Sequence, residues 1–297
     1  MIKKIIALSA LSILAGSAIA ADAANNWKKT TSVSALGGNY YQAYVRNTYH
    51  GGGIKFSGNY LNKYGFSVGV KNSLITYNLG YNDIEQNSLF LSGRYNFFSD
   101  EVKGTIVTKV DAYYIDNDDV TGNSDKVSAI APQVAYMPYS GVYSLNLGTA
   151  YTNYQNNLSV TQITPGFGLA FNNKMGWLSL GAYFIKPDNP NRAMGIDSTE
   201  AVEVSVTHWL KKGEFLPINF LTASLMLGER IYAVDNTSNS VYNVLDIQEG
   251  SVSVGCSWDI GSKFSLLSVL GHEKFRDINF NDEYSSNYIY LSLSKKW

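Results

Sequence analysis

The chain ends on an aromatic residue, Trp297, and the segment leading to it alternates by residue type. Ile289, Leu291, Leu293 and Trp297 share one phase; Tyr288, Tyr290, Ser292, Ser294 and Lys296 share the other. Successive side chains of a strand point to opposite faces, so this strand has one greasy face and one polar face. A terminal residue frays unless something ties it down. A final Trp on the greasy face fits a strand that ends at a membrane interface, where Trp and Tyr collect. Lys295 departs from the pattern: it sits in the greasy phase and must snorkel to the headgroups.

The first residues agree with a bilayer destination. Met1-Ile-Lys-Lys4 is basic, Ile5 to Leu14 is mainly apolar, and Ala18-Ile19-Ala20 is a small-x-small cleavage site. This pattern predicts a secretory signal peptide over residues 1–20, with Ala21-Asp22-Ala23 as a second site a few residues on. Its apolar core is shorter than the roughly 20 residues of a transmembrane helix, and no later run is long enough either. Yet 45% of the residues are hydrophobic and only 16% charged, against roughly 25% charged in a soluble domain. The 22 Tyr and 5 Trp suit aromatic girdles, since each ring is buried while its polar tip stays wet. A net charge of −1 offers no field for nucleic acid. The single cysteine, Cys256, has no internal disulfide partner, and the lipid face of a barrel would shield it.

Alternation runs through most of the remaining chain. Val102, Ile106, Val110, Ala112 and Tyr114 oppose Lys103, Thr105, Lys109, Asp111 and Tyr113. Val252, Val254, Cys256, Trp258 and Ile260 oppose Ser251, Ser253, Gly255, Ser257 and Asp259. A soluble antiparallel sheet shows the same period, so the signal peptide, the terminal aromatic and the low charge decide for a membrane. The connections alternate between short and long, as in bacterial barrels with short periplasmic turns and longer extracellular loops. Counting back from Trp297 places strands near 286–297, 263–275, 247–258, 219–233, 199–210, 176–186, 159–171, 142–153, 126–137, 102–115 and 87–97. Three more fit between Thr30 and Tyr81, where a phase slip predicts a bulge or turn near Lys71. The expected fold is all-β: one antiparallel transmembrane β-barrel over residues 21–297, of about 14 strands, with 12 or 16 as alternatives.

The mature chain resembles small 14-stranded outer-membrane barrels, in particular the YaiO-type family. The resemblance lies in strand count, turn lengths and segments such as Ser251-Val-Ser-Val-Gly-Cys-Ser-Trp-Asp259 followed by Lys263-Phe-Ser-Leu-Leu267. It implies a Gram-negative outer-membrane location, a link to surface polysaccharide, and no functional residues.

The sequence has no phosphate loop, clustered Cys/His metal site or nucleophile elbow, and it calls for no cofactor. If the apolar phase faces lipid, Lys55, Lys71, Arg94, Lys103, Lys109, Asp111, Glu203 and Arg230 line the lumen. Ile289, Leu291, Leu293 and Trp297 then form the signal read by the barrel-assembly machinery. Three functions fit. The leading one is a narrow porin-like channel or binding barrel for small polar, anionic or saccharide solutes. The second is a closed structural or adhesive barrel acting through its outer loops. The third is a lipid-modifying hydrolase centred on His272, with Ser285 or Ser286 at the same level. Acidic loop residues such as Asp116, Asp118, Asp119, Asp125, Asp235 and Asp246 face lipopolysaccharide in this reading. Ca²⁺ binding by Asp116 to Asp119 with Asp125 is the rarer alternative.

Overall fold

A computed structural model describes residues 26–119, 121–211, 217–278 and 280–297. The expected signal peptide lies outside the described residues. Fourteen strands close into one antiparallel barrel. They are β1 (Trp27–Tyr41), β2 (Arg46–Tyr60), β3 (Tyr64–Tyr77), β4 (Ile84–Ser99), β5 (Gly104–Asn117), β6 (Val127–Pro138) and β7 (Tyr143–Tyr154). Then come β8 (Leu158–Phe171), β9 (Gly176–Pro187), β10 (Thr199–Trp209), β11 (Ile218–Arg230), β14 (Asp246–Ile260), β15 (Phe264–Asp277) and β16 (Asp282–Lys296). Two short strands, β12 (Val234–Asp235) and β13 (Ser240–Val241), pair only with each other. The start of β1 and Trp297 share one end with the connections 61–63, 100–103, 139–142, 172–175 and 261–263 and with the end of β10 and the start of β11. That end is the periplasmic, or inner, end by the rule for bacterial barrels.

Closure comes from β1 pairing with β16 over twelve residues, from Thr30↔Lys296 to Tyr41↔Ser285. The terminal residue is held three ways. The Trp297 N–H donates to the Lys29 carbonyl at 3.1 Å, and its indole Nε1 donates to Thr31 Oγ1 at 3.1 Å. Lys295 Nζ stands 3.6 Å from a Trp297 ring centroid, so its charge snorkels onto an aromatic face.

The outward phase is a band of bare apolar side chains: Ile289 is 45% exposed, Val254 54% and Leu227 61%. No soluble monomer leaves so much apolar surface to water; hydrocarbon must cover it. Cys256 lies in this phase, paired with Leu221 and flanked by Val254.

The N-terminal strands correct one expectation. No bulge occurs at Lys71: β3 keeps unbroken register with β2 from Tyr64 to Ile75 and with β4 from Tyr64 to Ile75. The apparent slip is a change of environment. Beyond Lys71 the inward residues Ile75 and Tyr77 are apolar because the outer part of the lumen is packed. The register shift lies instead between Arg46 and Tyr49 on β2, and it turns Arg46 inward beside Tyr77.

The lumen divides along its axis. At the outer end the inward residues are large and buried, among them Val127 on β6, Tyr154 on β7, Leu158 and Val160 on β8, and Ile185 on β9. Further in, the same strands present Gln133, Asn146, Thr164, Gly166 and Ser179. The outer part is filled by the 231–245 segment, which folds into the barrel, and by the 188–198 connection. Ile231, Ala233 and Ala193 are fully buried there, and Tyr232 packs on Tyr154 with ring centroids 4.8 Å apart.

Candidate functional site: the lumen and the segment that crosses it

The inward segment begins where Gly228 adopts a φ of +100° and the β11–β14 register shifts, between Leu227 and Arg230. A side chain at Gly228 would place its Cβ 2.5 Å from the Glu200 carbonyl, so only glycine fits this bend. Gln162 on β8, almost wholly buried, holds the segment by its backbone. Its Oε1 accepts from the Val234 N–H at 3.0 Å, and its Nε2 donates to the Val234 carbonyl at 2.8 Å. The hairpin then spans the barrel. Tyr113 on β5 donates to Asn236 Oδ1 at 3.3 Å, and Lys71 on β3 donates to the Asn239 carbonyl at 3.3 Å. Asn243 closes the return by donating to Gln86 Oε1 at 2.8 Å and to the Ser124 carbonyl at 2.9 Å.

Seven of the eight lumen residues expected from the alternation do face inward. Lys55, Lys71, Arg94 and Lys109 lie on four adjacent strands, β2 to β5. Their neighbours Val70, Leu89 and Val110 are exposed on the lipid side. Lys55, Arg94 and Lys109 stand at one level, each five residues from the inner end of its strand (Lys55 to Tyr60, Arg94 to Ser99, Gly104 to Lys109). Lys109 pairs with the fully buried Asp111 at 2.7 Å, and Gln133 Nε2 donates to the same carboxylate at 3.2 Å. Arg94 donates to Asn59 Oδ1 at 2.5 Å. Lys55 has no ion pair or hydrogen bond among the described residues and lies within electrostatic reach of Lys109. Glu203 accepts from the Tyr183 hydroxyl at 2.9 Å. Arg230 packs over the Tyr183 and Tyr242 rings, donates from Nη2 to the Tyr242 hydroxyl at 3.0 Å, and from Nε to Gln248.

Lys103 is the exception. It lies in the exposed turn between β4 and β5 with a φ of 48°, because β5 starts one residue later, at Gly104. Simple alternation carried the strand too far inward.

Several inward groups escape the sequence reading. Arg46 is buried in an ion pair with Asp246, 200 positions away, and the Tyr40, Tyr77 and Tyr284 rings surround it. Glu273 accepts from Gln248 Nε2 at 2.9 Å. Two acids expected in outer loops are therefore internal: Asp246 is paired with Arg46, and Asp235 is buried and caps the hairpin turn at Thr237 and Ser238. Arg46 and Asp246 lie 200 positions apart, and no local pattern joins them.

The hydrolase geometry does not form. His272 points to the lipid side and its Nδ1 lies 2.7 Å from Asn287 Oδ1. Ser286 points inward, fully buried, and donates to the Tyr49 hydroxyl at 3.0 Å. Ser285 pairs with Lys274 rather than His272. The Ca²⁺ arrangement is also missing. Both Asp119 oxygens accept from Thr121, Asn123 and Ser124, and no group of three metal-binding side chains converges among the described residues. Burial pushes the Asp119 carboxyl up, but these hydrogen bonds hold it below the ordinary carboxylate range.

No family model and no curated protein sequence matches the chain. Solved structures do. The Ralstonia pickettii toluene transporter TbuX is 10% identical with a TM-score of 0.56, over 93% of this chain and 90% of that one. The Pseudomonas putida toluene transporter TodX is 9% identical with a TM-score of 0.55, over 92% and 90%. A bacterial polysaccharide outer membrane secretin is 10% identical with a TM-score of 0.53, over 93% and 100%. At such identities the likeness concerns the fold alone. The chain is a Gram-negative outer-membrane β-barrel: it has that fold, and its apolar band needs hydrocarbon around it.

Proposed function

We propose that the barrel is a narrow, porin-like channel for small polar solutes that prefers anions among small ions. One observation carries this reading: Lys55, Lys71, Arg94 and Lys109 share one wall of a polar lumen, and only Lys109 is paired with a carboxylate. Cations gathered on low-dielectric walls raise the local concentration of anions. The small inward residues of the inner lumen, such as Ser179, Ser205 and Thr222, leave room for water and offer hydroxyls to it. Two of the similar structures are toluene transporters. An apolar solute finds little matching surface in this inner lumen, so the proposed solutes are polar. The outer loops face lipopolysaccharide, and the assembly machinery reads β16 through Trp297. Membership of the YaiO-type barrels has only strand count and turn lengths behind it.

A second reading has its own support. The packed outer lumen favours a closed barrel that acts through its loops. Planar-bilayer recording separates the two. A channel gives defined current steps, and Lys55→Glu combined with Arg94→Glu moves the reversal potential under a salt gradient toward cation preference. A folded but silent barrel would favour the closed reading; a conducting barrel with unmoved selectivity would remove the basic wall from the path.

A further inference from the structure

Directly beneath the hairpin tip lies a cavity of about 80 Å³, lined by Gln133, Asn146, Thr164, Tyr183, Asn236 and Thr237, with Gly148 and Val234. In this measure a water needs about 10–15 Å³, so the space has room for roughly six. We infer that this cavity is a binding site for a neutral, hydroxyl-rich solute of monosaccharide size.

The lining polar groups converge and are incompletely used. Asn146 makes no hydrogen bond among the described residues. Gln133 spends its Nε2 on Asp111, which leaves its Oε1 to accept. Asn236 accepts the Tyr113 hydroxyl with Oδ1, which leaves its Nδ2 to donate. The Tyr183 hydroxyl gives its proton to Glu203 and keeps its lone pairs for a donor. Two glycines shape the site, Gly148 by lining it and Gly166 by letting the Asn146 amide lie against its backbone. A Cβ at Gly166 would lie 2.4 Å from Asn146 Oδ1, and one at Gly148 would lie 3.3 Å from Gln133 Cγ and face Asn236 Nδ2 at 3.8 Å. Three amides from two adjacent strands and the hairpin therefore meet around one volume.

The class of solute follows from what the lining lacks. None of the eight lining residues carries a charge. The nearest ammonium in register, Lys109 opposite Gln133, is bound to Asp111 at 2.7 Å. A charged solute would lose hydration and meet no counter-charge among the lining residues, while the flanking Arg230, Glu203 and Asp235 are engaged with Tyr183, Gln248 and the hairpin turn. An apolar solute would leave the amides unpaired. A neutral polyol satisfies them, each hydroxyl both donating and accepting.

The inference rests on the proposed reading of the lumen as a solute path only for how the solute arrives. Binding is therefore measured without transport, by saturation-transfer NMR and calorimetry on the folded, detergent-solubilised barrel. The probes are glucose and gluconate. Glucose should bind, and Asn146→Leu and Thr237→Val should each weaken it at least fivefold. Both side chains are exposed to the lumen, so neither change removes packing. Lys55→Glu, which alters the basic wall, should leave glucose binding unchanged. The inference is overturned if glucose gives no signal on folded protein, or if both lumen variants bind it normally. It is equally overturned if gluconate binds more tightly and loses its affinity in Lys55→Glu. Loss of glucose binding with normal conductance would fault this site alone, whereas a silent barrel that binds glucose would fault only the channel.

Discussion

The two halves of the lumen are built from the same fourteen strands, yet they use the inward phase in opposite ways. The outer half is dry: Val127, Tyr154, Val160, Ile185 and Met226 pack against Ile231, Tyr232 and Ala233 of the inward segment. Its charges are buried and held either by an ion pair, as Arg46 is with Asp246, or by neutral hydrogen-bond partners, as Arg230 is by Gln248 and Tyr242. The inner half is wet: hydroxyls, amides and glycines line it, and its cations stand at one level with little carboxylate to answer them. The difference teaches that a barrel wall does not set the character of its lumen. Two connections that fold inward, 231–245 and 188–198, supply the outer half with a core.

The largest expected effect contrasts one arginine from each half. Arg46→Ala strands the Asp246 carboxylate in a buried site and should cost about 3–5 kcal/mol. Arg94→Ala leaves Asn59 facing water and should cost about 1 kcal/mol or less. Urea unfolding in lipid vesicles, followed by heat-modifiability on gels, measures both. Equal losses would mean that the inner half is as dry as the outer.

A smaller effect comes from the anchor of the inward segment. Gln162→Leu leaves the N–H and carbonyl of Val234 without partners, at about 1–3 kcal/mol for each stranded group. The segment should loosen, and single-channel conductance should rise severalfold. The inner-half counterpart is the Ser224–Ser253 hydroxyl pair at 2.7 Å, where Ser224→Ala should leave conductance within experimental scatter. Unchanged conductance in Gln162→Leu would show that the hairpin does not narrow the path.

These contrasts also mark how far the sequence speaks. The strand count, most boundaries and the outward face were legible because hydrocarbon enforces one apolar phase on every strand. Seven inward ionisable residues followed from the same rule. The dry outer half did not, since alternation assumes one solvent throughout the lumen. A signal was present: Ala182-Tyr183-Phe184-Ile185 and Val127-Ser-Ala-Ile-Ala131 are apolar or small in both phases, as strands buried on two sides are. Ile75 and Tyr77 carried it too and resembled a bulge. The 231–245 segment has the composition of an exposed loop at its tip, Asn236-Thr-Ser-Asn-Ser240, and its apolar flanks reveal their burial only beside Gln162 and Tyr154. The cavity amides are neutral and scattered over 100 positions, so no local motif joins them.

The smallest effect lies at the outer rim, where the 118–126 connection supports the inward segment through Ser124 and Asn243. The Asp119 carboxyl titrates lower in the fold than in an unfolded chain. The order it confers is thus complete above the ordinary carboxylate pKa of about 4 and is lost as pH falls through the lower folded value. Hydrogen exchange of the Thr121, Asn123 and Ser124 amides should speed relative to the intrinsic rate as the pH falls below the ordinary carboxylate range, and Asp119→Asn should show that loosening at neutral pH. Inner-half amides should show neither change.

Cysteine accessibility tests the division of the lumen most directly. In a Cys256→Ser background, single cysteines at Ser179 and Ser205 lie in the inner lumen, and those at Ala131 and Ala150 lie under the inward segment. All four side chains face inward. A small, membrane-impermeant thiol reagent should label positions 179 and 205 within minutes and leave 131 and 150 unlabelled until the barrel is unfolded. Labelling of all four at one rate would contradict a lumen that is wet within and dry without.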